Sequence, residues 1–190
     1  IANMQLDSGR TIEAPRGKSG ASNMQLNMTR VDLAESRLSE VKTLNIGVAA
    51  DLKSVFNDAM SDLTRYLALV KYEYLQAKQN LELAKAEALL DKYPEYVRSY
   101  LKDAGMKDNS DIRDAFIARD VQYREWQSII NHLEALTALL EAKNKTIERS
   151  YWDCRSNLED MIKIKSIANY NASSNNSSIS ENFLVGVSKF

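Results

Sequence analysis

Residues 126–147 of this chain read WQSIINHLEALTALLEAKNKTI, without a glycine or proline. Apolar side chains recur there at alternating steps of four and three, which is the spacing of one face of an α-helix. The same spacing continues beyond the segment. The positions on this face are Trp126, Ile130, Leu133, Thr137, Leu140, Asn144, Ile147, Tyr151, Cys154, Leu158 and Met161. The pattern predicts a long helix with an apolar seam of the coiled-coil kind.

The placement of helix-breaking residues extends this prediction along the chain. Between Gly105 and Gly186 there is no Gly or Pro, and between Gly47 and Gly105 there is only Pro94. Both gaps are rich in Leu, Ala, Glu, Lys, Arg and Gln, which favour helix. Two long helices are therefore expected, and the first carries a similar seam with one extra step of four near Val70.

These patterns divide the chain into segments. We predict an extended arm over 1–30, a helical domain over 31–168, and an Asn/Ser-rich linker with a hydrophobic tip over 169–190. Within the domain we expect a first helix over 31–44, which starts near Thr29 or Asp32 and is weakened or ended by Gly47. A long helix follows over 49–92, and a short helix over 95–104 ends at Gly105. The second long helix is expected over 111–168, with Ser110 as its cap. The fold class is all-α: a long antiparallel helical hairpin, coiled-coil-like, with a short connecting helix, an extended N-terminal arm and a flexible C-terminal tail.

The composition sets bounds on function. The 190 residues are 44% hydrophobic and 27% charged, which is typical of a folded, soluble protein. A formal net charge of −1 means that any nucleic-acid site must be a local patch. No run approaches the roughly 18 apolar residues of a membrane-spanning helix, so we expect no membrane partner. The single cysteine excludes an internal disulfide and agrees with an intracellular location.

Few residues offer catalytic chemistry. His132 is the only histidine, and no Cys or second His stands near it at metal-ligand spacing. Cys154 lies on the predicted seam, where a thiol usually behaves as a small buried hydrophobe. On one straight helix the two residues lie about 33 Å apart, which excludes a Cys–His catalytic pair within one subunit. We therefore expect a protein that is not an enzyme and has no metal or cofactor.

Basic residues gather on the later half of the second long helix. Lys143, Lys145, Arg149 and Arg155 lie there beside two aromatic residues, Tyr151 and Trp152. Aromatic rings stack on unpaired bases while cations follow the phosphates, so this group is a candidate site for single-stranded nucleic acid. The alternative is a solvated helix face, because acidic residues are interspersed.

The exposed stripes of such a hairpin predict a homo-oligomer, since two helices alone bury too little surface. The expected interface residues are Trp126, Ile130, Leu133, Leu140, Asn144, Ile147, Leu158, Phe183, Leu184 and Phe190. Asn144 on the seam would set register and partner number, unless the seam drifts and it faces water. Phe183, Leu184 and Phe190 belong to a terminal tip that either docks on a neighbour or frays. In the arm, Asn-Met-Gln-Leu occurs at 3–6 and 23–26, either as two equivalent short strands or by chance.

The central part of the chain, from about Leu67 to Met161, resembles the UvsY family of phage recombination mediators. A long helix ends in Leu90-Asp91-Lys92-Tyr93, a turn-rich connection follows, and a second long helix ends in Glu159-Asp160-Met161. The family's basic DNA-binding stretch falls on Lys85-Ala86-Glu87, where Lys85 matches and Glu87 reverses the second charge. The arm, the first helix and the tail have no counterpart in the family pattern.

The resemblance implies a small helical homo-oligomer that binds single-stranded DNA and helps to load a RecA-like recombinase. It also implies a location in the host cytoplasm. The rival hypothesis is a structural or virion-associated protein, whose arm and tail interlock with neighbouring virion proteins. Near-neutral charge and long extensions favour the rival, and the central resemblance favours the mediator.

Overall fold

The structure is a computed structural model that describes residues 10–18 and 20–186, with side chains as far as Asn171. It is predominantly helical, which confirms the all-α class. Within these ranges the elements are two strands, β1 (Thr11–Ala14) and β2 (Met24–Asn27), and five α-helices: α1 (Thr29–Ser36), α2 (Ile46–Glu87), α3 (Tyr93–Tyr96), α4 (Ser110–Arg119) and α5 (Val121–Gly186). A 3-10 helix spans Leu38–Lys42, and π-helical turns span Ala88–Lys92 and Val97–Leu101.

Helices α2 and α5 lie side by side and run antiparallel. The Tyr74 hydroxyl donates to Glu134 at 2.8 Å, and the Lys71 ammonium donates to Glu141 at 2.8 Å, so the paired residue number on α5 rises as that on α2 falls. The predicted seam of α2 is confirmed, and its buried residues are Leu52, Phe56, Ala59, Leu63, Tyr66, Val70, Ala77 and Ala84. Coiled-coil packing of the pair stays a prediction.

The second long helix was predicted as one rod from residue 111, and this prediction is wrong at Asp120. That residue adopts an extended ψ of 132° and separates α4 from α5. Its carboxylate accepts the Tyr123 N–H at 3.1 Å and pairs with Lys92. An Asp that caps a helix competes with continued helix, so a chain without Gly or Pro still breaks here. The cap of α4 is Asn109, one residue before the predicted Ser110.

Two other boundaries differ from the prediction. The first helix begins at Thr29, ends at Ser36 and is followed by the 3-10 helix. Gly47 does not end it, because Gly47 lies in the first turn of α2. The cap of α2 is Asn45, whose side chain accepts the Val48 N–H at 2.9 Å. The backbone predicted as a polar linker continues α5 as far as Gly186. Asn and Ser cost a helix only a few tenths of a kcal/mol each, roughly, and no Gly or Pro intervenes.

The described part of the predicted extended arm, residues 10–18 and 20–30, is instead folded onto the helices. Strands β1 and β2 pair antiparallel, with Ile12 opposite Leu26 and Ala14 opposite Met24. Ala14, Met24 and Leu26 are buried in the same core as α2 and α5. Of the two Asn-Met-Gln-Leu segments, the second is β2 and its flank, and the first lies outside the described residues. The signal for this hairpin is the period-2 alternation of Met24, Leu26 and Met28.

The turn of this hairpin is held on α2 by Glu73. The Glu73 side chain is buried, and it accepts the Gly17 N–H at 2.8 Å and an Arg16 guanidinium N–H at 3.3 Å. The Asn80 amide donates to the Gly17 carbonyl at 2.6 Å. A carboxylate removed from water needs such donors, because an unpaired one is too costly to bury. Glu73 therefore fastens the hairpin to the middle of α2.

The other end of the molecule is closed by a tight turn. Pro94 has no N–H to donate, and the helical turns before and after α3 widen to π geometry. The helical run ends as predicted at Gly105, whose φ is 63°. The Gly105 N–H donates to the Lys102 carbonyl, and the Met106 N–H donates to the Leu101 carbonyl. These two hydrogen bonds form a Schellman motif, and Gly105 lies one turn after Leu101, the last helical residue.

A hydrogen-bonded cluster fixes this turn to α4. The Tyr93 hydroxyl donates to Asp108 at 2.6 Å, and Arg113 donates to the same carboxylate at 2.8 Å and 3.0 Å. The Arg113 guanidinium, and then the Tyr93 hydroxyl, hold the pKa of Asp108 below its usual 3.8. Burial, and then Asp108, raise the pKa of Tyr93, so its hydroxyl remains a donor at neutral pH.

We predict that Gly17→Ala destabilises the fold. A Cβ at this position would lie 2.1 Å from the Glu73 carbonyl oxygen and 2.7 Å from the Ala77 nitrogen, so the hairpin must lift from α2. The expected loss in the free energy of unfolding is about 1–3 kcal/mol, measured by urea denaturation. Gly47→Ala is the control, because its Cβ would meet nothing closer than 3.5 Å. An unchanged free energy of unfolding for Gly17→Ala contradicts the close contact between the hairpin turn and α2.

We predict that Asp108→Asn lowers the melting temperature at pH 7 and has little effect at strongly acidic pH. A carboxyl with a lowered folded pKa stabilises the protein above its unfolded pKa, and this contribution is lost as the pH falls through the folded pKa. Thermal unfolding followed by circular dichroism between pH 7 and pH 2 measures the difference. Asp103→Asn, an exposed acid in the same turn, is the control. A difference that stays constant with pH rules out the ion-pair explanation.

Candidate nucleic-acid interface

The outward face of α5 holds an exposed aromatic ring among cations. Trp152 is 52% exposed, and its indole makes an edge contact with Tyr151 at a centroid distance of 5.4 Å. The Arg155 guanidinium lies 5.1 Å from the centroid of the Trp152 ring. Arg149 is exposed one turn earlier on the same face, and Lys145 is exposed two turns earlier. Lys145, Arg149, Trp152 and Arg155 are therefore defined here as the α5 outer patch.

The helix itself produces this arrangement. Ile147 and Cys154 are fully buried against the core. Lys145, Arg149 and Trp152 lie two or five positions from one or other of them, which places these three side chains about 140–160° around the helix from the core. Burial, followed by the nearby Asp153 charge, raises the pKa of the Cys154 thiol, which agrees with its predicted role as a buried hydrophobe. The seam on one side of α5 thus directs the cations and Trp152 to the other side.

The charge of the patch is mixed. Between residues 143 and 165 the helix carries six basic and four acidic side chains. Arg155 donates to Glu159 at 3.0 Å, and this contact, together with the Glu159 charge, raises its pKa further. Lys145 and Arg149 make no ion pair in the described part of the chain, which leaves two cations next to the ring. The local excess of positive charge is small, so any attraction for phosphates is short-ranged and sensitive to salt.

Three of the predicted nucleic-acid residues do not join the patch. Lys143 is half-buried and pairs with Glu35 of α1, so it fastens α1 to α5. Lys85 is exposed on α2, but the antiparallel register places it about 40 Å along the helix from Trp152. Tyr151 is half-buried between the core and Trp152, since it packs on the core and makes an edge contact with the indole.

The predicted oligomer interface is corrected by the structure. Ile130, Leu133, Leu140 and Ile147 are at most 3% exposed and belong to the core shared with α2. Trp126 packs on the same core, and Leu158 is half-buried. These side chains meet another helix of their own chain, because α2 supplies the matching face. The side chains of Phe183 and Leu184, and all of Phe190, lie outside the described residues.

Asn144 also lies on this internal seam. Its side-chain oxygen is buried, and no hydrogen-bond partner for it occurs in the described part of the molecule. The hypothesis that Asn144 faces water is therefore wrong for this atom. The other polar seam residue, Thr137, donates to the Leu133 carbonyl of its own helix at 2.8 Å.

Two features escaped the sequence analysis. A cleft of about 500 Å³ lies between the hairpin turn and the ends of the long helices, lined among others by Lys18, Glu87, Glu125 and Trp126. Only the tertiary structure brings these residues together. The other feature is a second line of apolar side chains on α2, on the side away from the core, which includes Tyr72, Leu75 and Leu83. A helical-wheel count of both faces of α2 would have found it.

Several kinds of site have no support within residues 10–18 and 20–186. No group of three or more His, Cys, Asp or Glu side chains there is suited to hold a metal ion. No helix in the same ranges combines the length and apolarity needed to cross a bilayer. None of the family models, curated proteins and solved structures compared with this chain matches it.

Proposed function

We propose that this protein is a non-enzymatic, oligomeric recombination mediator that binds single-stranded DNA on the α5 outer patch and assists the loading of a recombinase. The observation that carries the DNA-binding step is the half-exposed Trp152 ring with cations on both sides of it along the helix. The resemblance of residues 67–161 to phage recombination mediators supplies the recombinase as the partner.

The patch suits an unpaired strand better than a duplex. A ring that projects from a helix face stacks on one base, which requires a base that is free of its complement. Arg155 lies over the indole, and the Trp152 side chain is 52% exposed, which leaves part of the ring accessible to a base. Lys145 and Arg149 lie within two helical turns of the ring, close enough to meet the phosphates of the same short stretch. With so few cations, binding is weak and without sequence preference.

We predict that Trp152→Ala weakens binding of a fluorescein-labelled oligothymidylate by about tenfold or more, since stacking contributes roughly 1–3 kcal/mol per base. Arg149→Gln is expected to weaken binding less and to reduce the slope of log affinity against log salt by about one. Fluorescence anisotropy at low salt measures both effects.

Lys85→Gln is the matched control, because it removes the same charge at an exposed position about 40 Å from the patch. Its affinity is expected to equal that of the unsubstituted protein. Equal losses for Lys85→Gln and Arg149→Gln contradict the assignment of the patch. If the unsubstituted protein binds no oligonucleotide at low salt, the mediator proposal is wrong.

A structural or virion-associated role is the second candidate, and it is favoured by the part of α5 that extends past the end of α2. The register of the pair places the start of α2 opposite about residue 164 of α5, so the rest of α5 extends past α2. Ile164, Ile167 and Tyr170 on this extension are 60–75% exposed. Such side chains suit contacts with neighbouring subunits. If removal of residues 164–190 leaves the size of the oligomer unchanged in light scattering, the extension has no interlocking role.

A further inference from the structure

Helix α2 carries a second apolar line on the face turned away from its core. Tyr72 and Leu75 are each 59% exposed, and Leu83 is 61% exposed. Ala68, Gln79 and Ala86 are exposed on the same line. At 100° per residue all six lie within about 60° of one direction. Ala68, Tyr72, Leu75, Gln79, Leu83 and Ala86 are defined here as the α2 outer stripe.

The stripe has the spacing of a helix–helix contact. Tyr72 and Leu83 are eleven residues apart, and so are Leu75 and Ala86. An 11-residue repeat keeps side chains on one face of a nearly straight α-helix over several turns. The stripe covers about 27 Å of the helix from residue 68 to residue 86. Neither the hairpin nor α5 covers it, since its larger members remain more than half exposed.

The order of side chains along the stripe is self-complementary. If a second α2 lies antiparallel across it with a two-fold axis at Gln79, Tyr72 faces Ala86 and Leu75 faces Leu83. The largest side chain thus meets a small one, the leucines meet each other, and the two Gln79 amides meet at the axis. A two-fold interface requires this kind of self-match, and a polar residue at its centre sets the register.

The charges beside the stripe agree with the same axis. Lys78 and Glu82 lie on one flank, and neither forms an ion pair within the part of the chain that the structure describes. In the antiparallel arrangement, the flank that carries Lys78 and Glu82 in one copy lies beside the same flank of the other copy. Measured along the helix axis, Lys78 of each copy then lies about 3 Å from Glu82 of the other copy, a separation that these two long side chains can bridge. Two reciprocal Lys–Glu pairs would therefore border the apolar contact.

We propose that the α2 outer stripe is a two-fold interface for a second copy of this chain. The occupant is a second copy because both the apolar sizes and the charges match under one axis, which a different partner does not require. The inference rests on the proposed function in one respect, since it names the surface through which the oligomer forms. It needs no DNA and is tested without it.

Site-directed cross-linking tests the axis in the full chain. Gln79→Cys is expected to form a disulfide between two copies under mild oxidation, visible as a dimer on a non-reducing gel. Tyr72→Cys alone is expected to give none, because the two thiols lie about 21 Å apart along the helix. A mixture of Tyr72→Cys and Ala86→Cys is expected to give the dimer again. The unsubstituted chain, whose Cys154 is buried, is the control.

Light scattering tests the energetics. Leu83→Glu places two charges in each interface and is expected to raise the dimer dissociation constant on the order of a hundredfold. Leu139→Glu, at a 44% exposed position on α5, is the matched control and is expected to leave the dimer intact. An unchanged helical circular dichroism spectrum at 25 °C shows that each variant is folded.

Three results overturn the inference: a monomer at all concentrations, a dimer that Leu83→Glu leaves unchanged, or a cross-link pattern in which Tyr72→Cys pairs with itself. Oligonucleotide binding distinguishes this failure from failure of the proposed function. A monomer that binds single-stranded DNA contradicts the interface and the oligomeric state but leaves the DNA-binding step of the proposed function standing, and a cross-linked dimer that binds none contradicts the mediator proposal alone.

Discussion

The structure depends on the burial of one face of α2 by two different partners. Over residues 59–84 that face carries Ala59, Ala77 and Ala84 among larger side chains, so the backbone of α5 and the hairpin turn can approach closely. At its middle lies Glu73, a charged residue that is only 6% exposed. Its carboxylate is satisfied by the hairpin backbone and Arg16, so α2 and the hairpin each depend on the other's presence.

This arrangement decides which surfaces remain for function. The apolar face of α5 is occupied by α2, and one flank of α2 is occupied by the hairpin turn. What remains is the outward face of α5, with Trp152 and its cations, and the outer stripe of α2. The two proposals concern different helices and different chemistry, stacking and charge on one and apolar matching on the other. Neither surface requires the core to open, so binding and self-association are compatible with one rigid body.

Much of the helical framework was predictable from local pattern. The seam of α2 from Leu52 to Ala84, the end of the helical run at Gly105 and the burial of Cys154 follow from helical period and residue type. The break at Asp120 was missed because an N-cap residue inside a long apolar period resembles any other helix position. The hairpin was missed because its strands have four residues each and gain stability only from the helices beneath them.

The candidate site was predictable in part. The group of Lys145, Arg149, Trp152 and Arg155 was found because their spacing on one helix already places them on one face. The ion pair of Lys143 with Glu35 was not predictable, since Glu35 is distant in the chain and close only in the fold. The residues of the seam were expected to bind a second subunit, because periodicity reveals an apolar face but not which helix covers it.

By itself, the sequence determined the two long helical regions and their apolar faces, since these depend on residues within a few turns of one another. Only the tertiary structure decided that α5 meets α2 of its own chain, that the hairpin turn rests on Glu73, and that the outer stripe of α2 stays uncovered. These outcomes depend on residues 50 or more positions apart, such as Gly17 with Glu73. Contacts of that kind arise from the balance of burial against chain entropy over the whole fold, which no local pattern records.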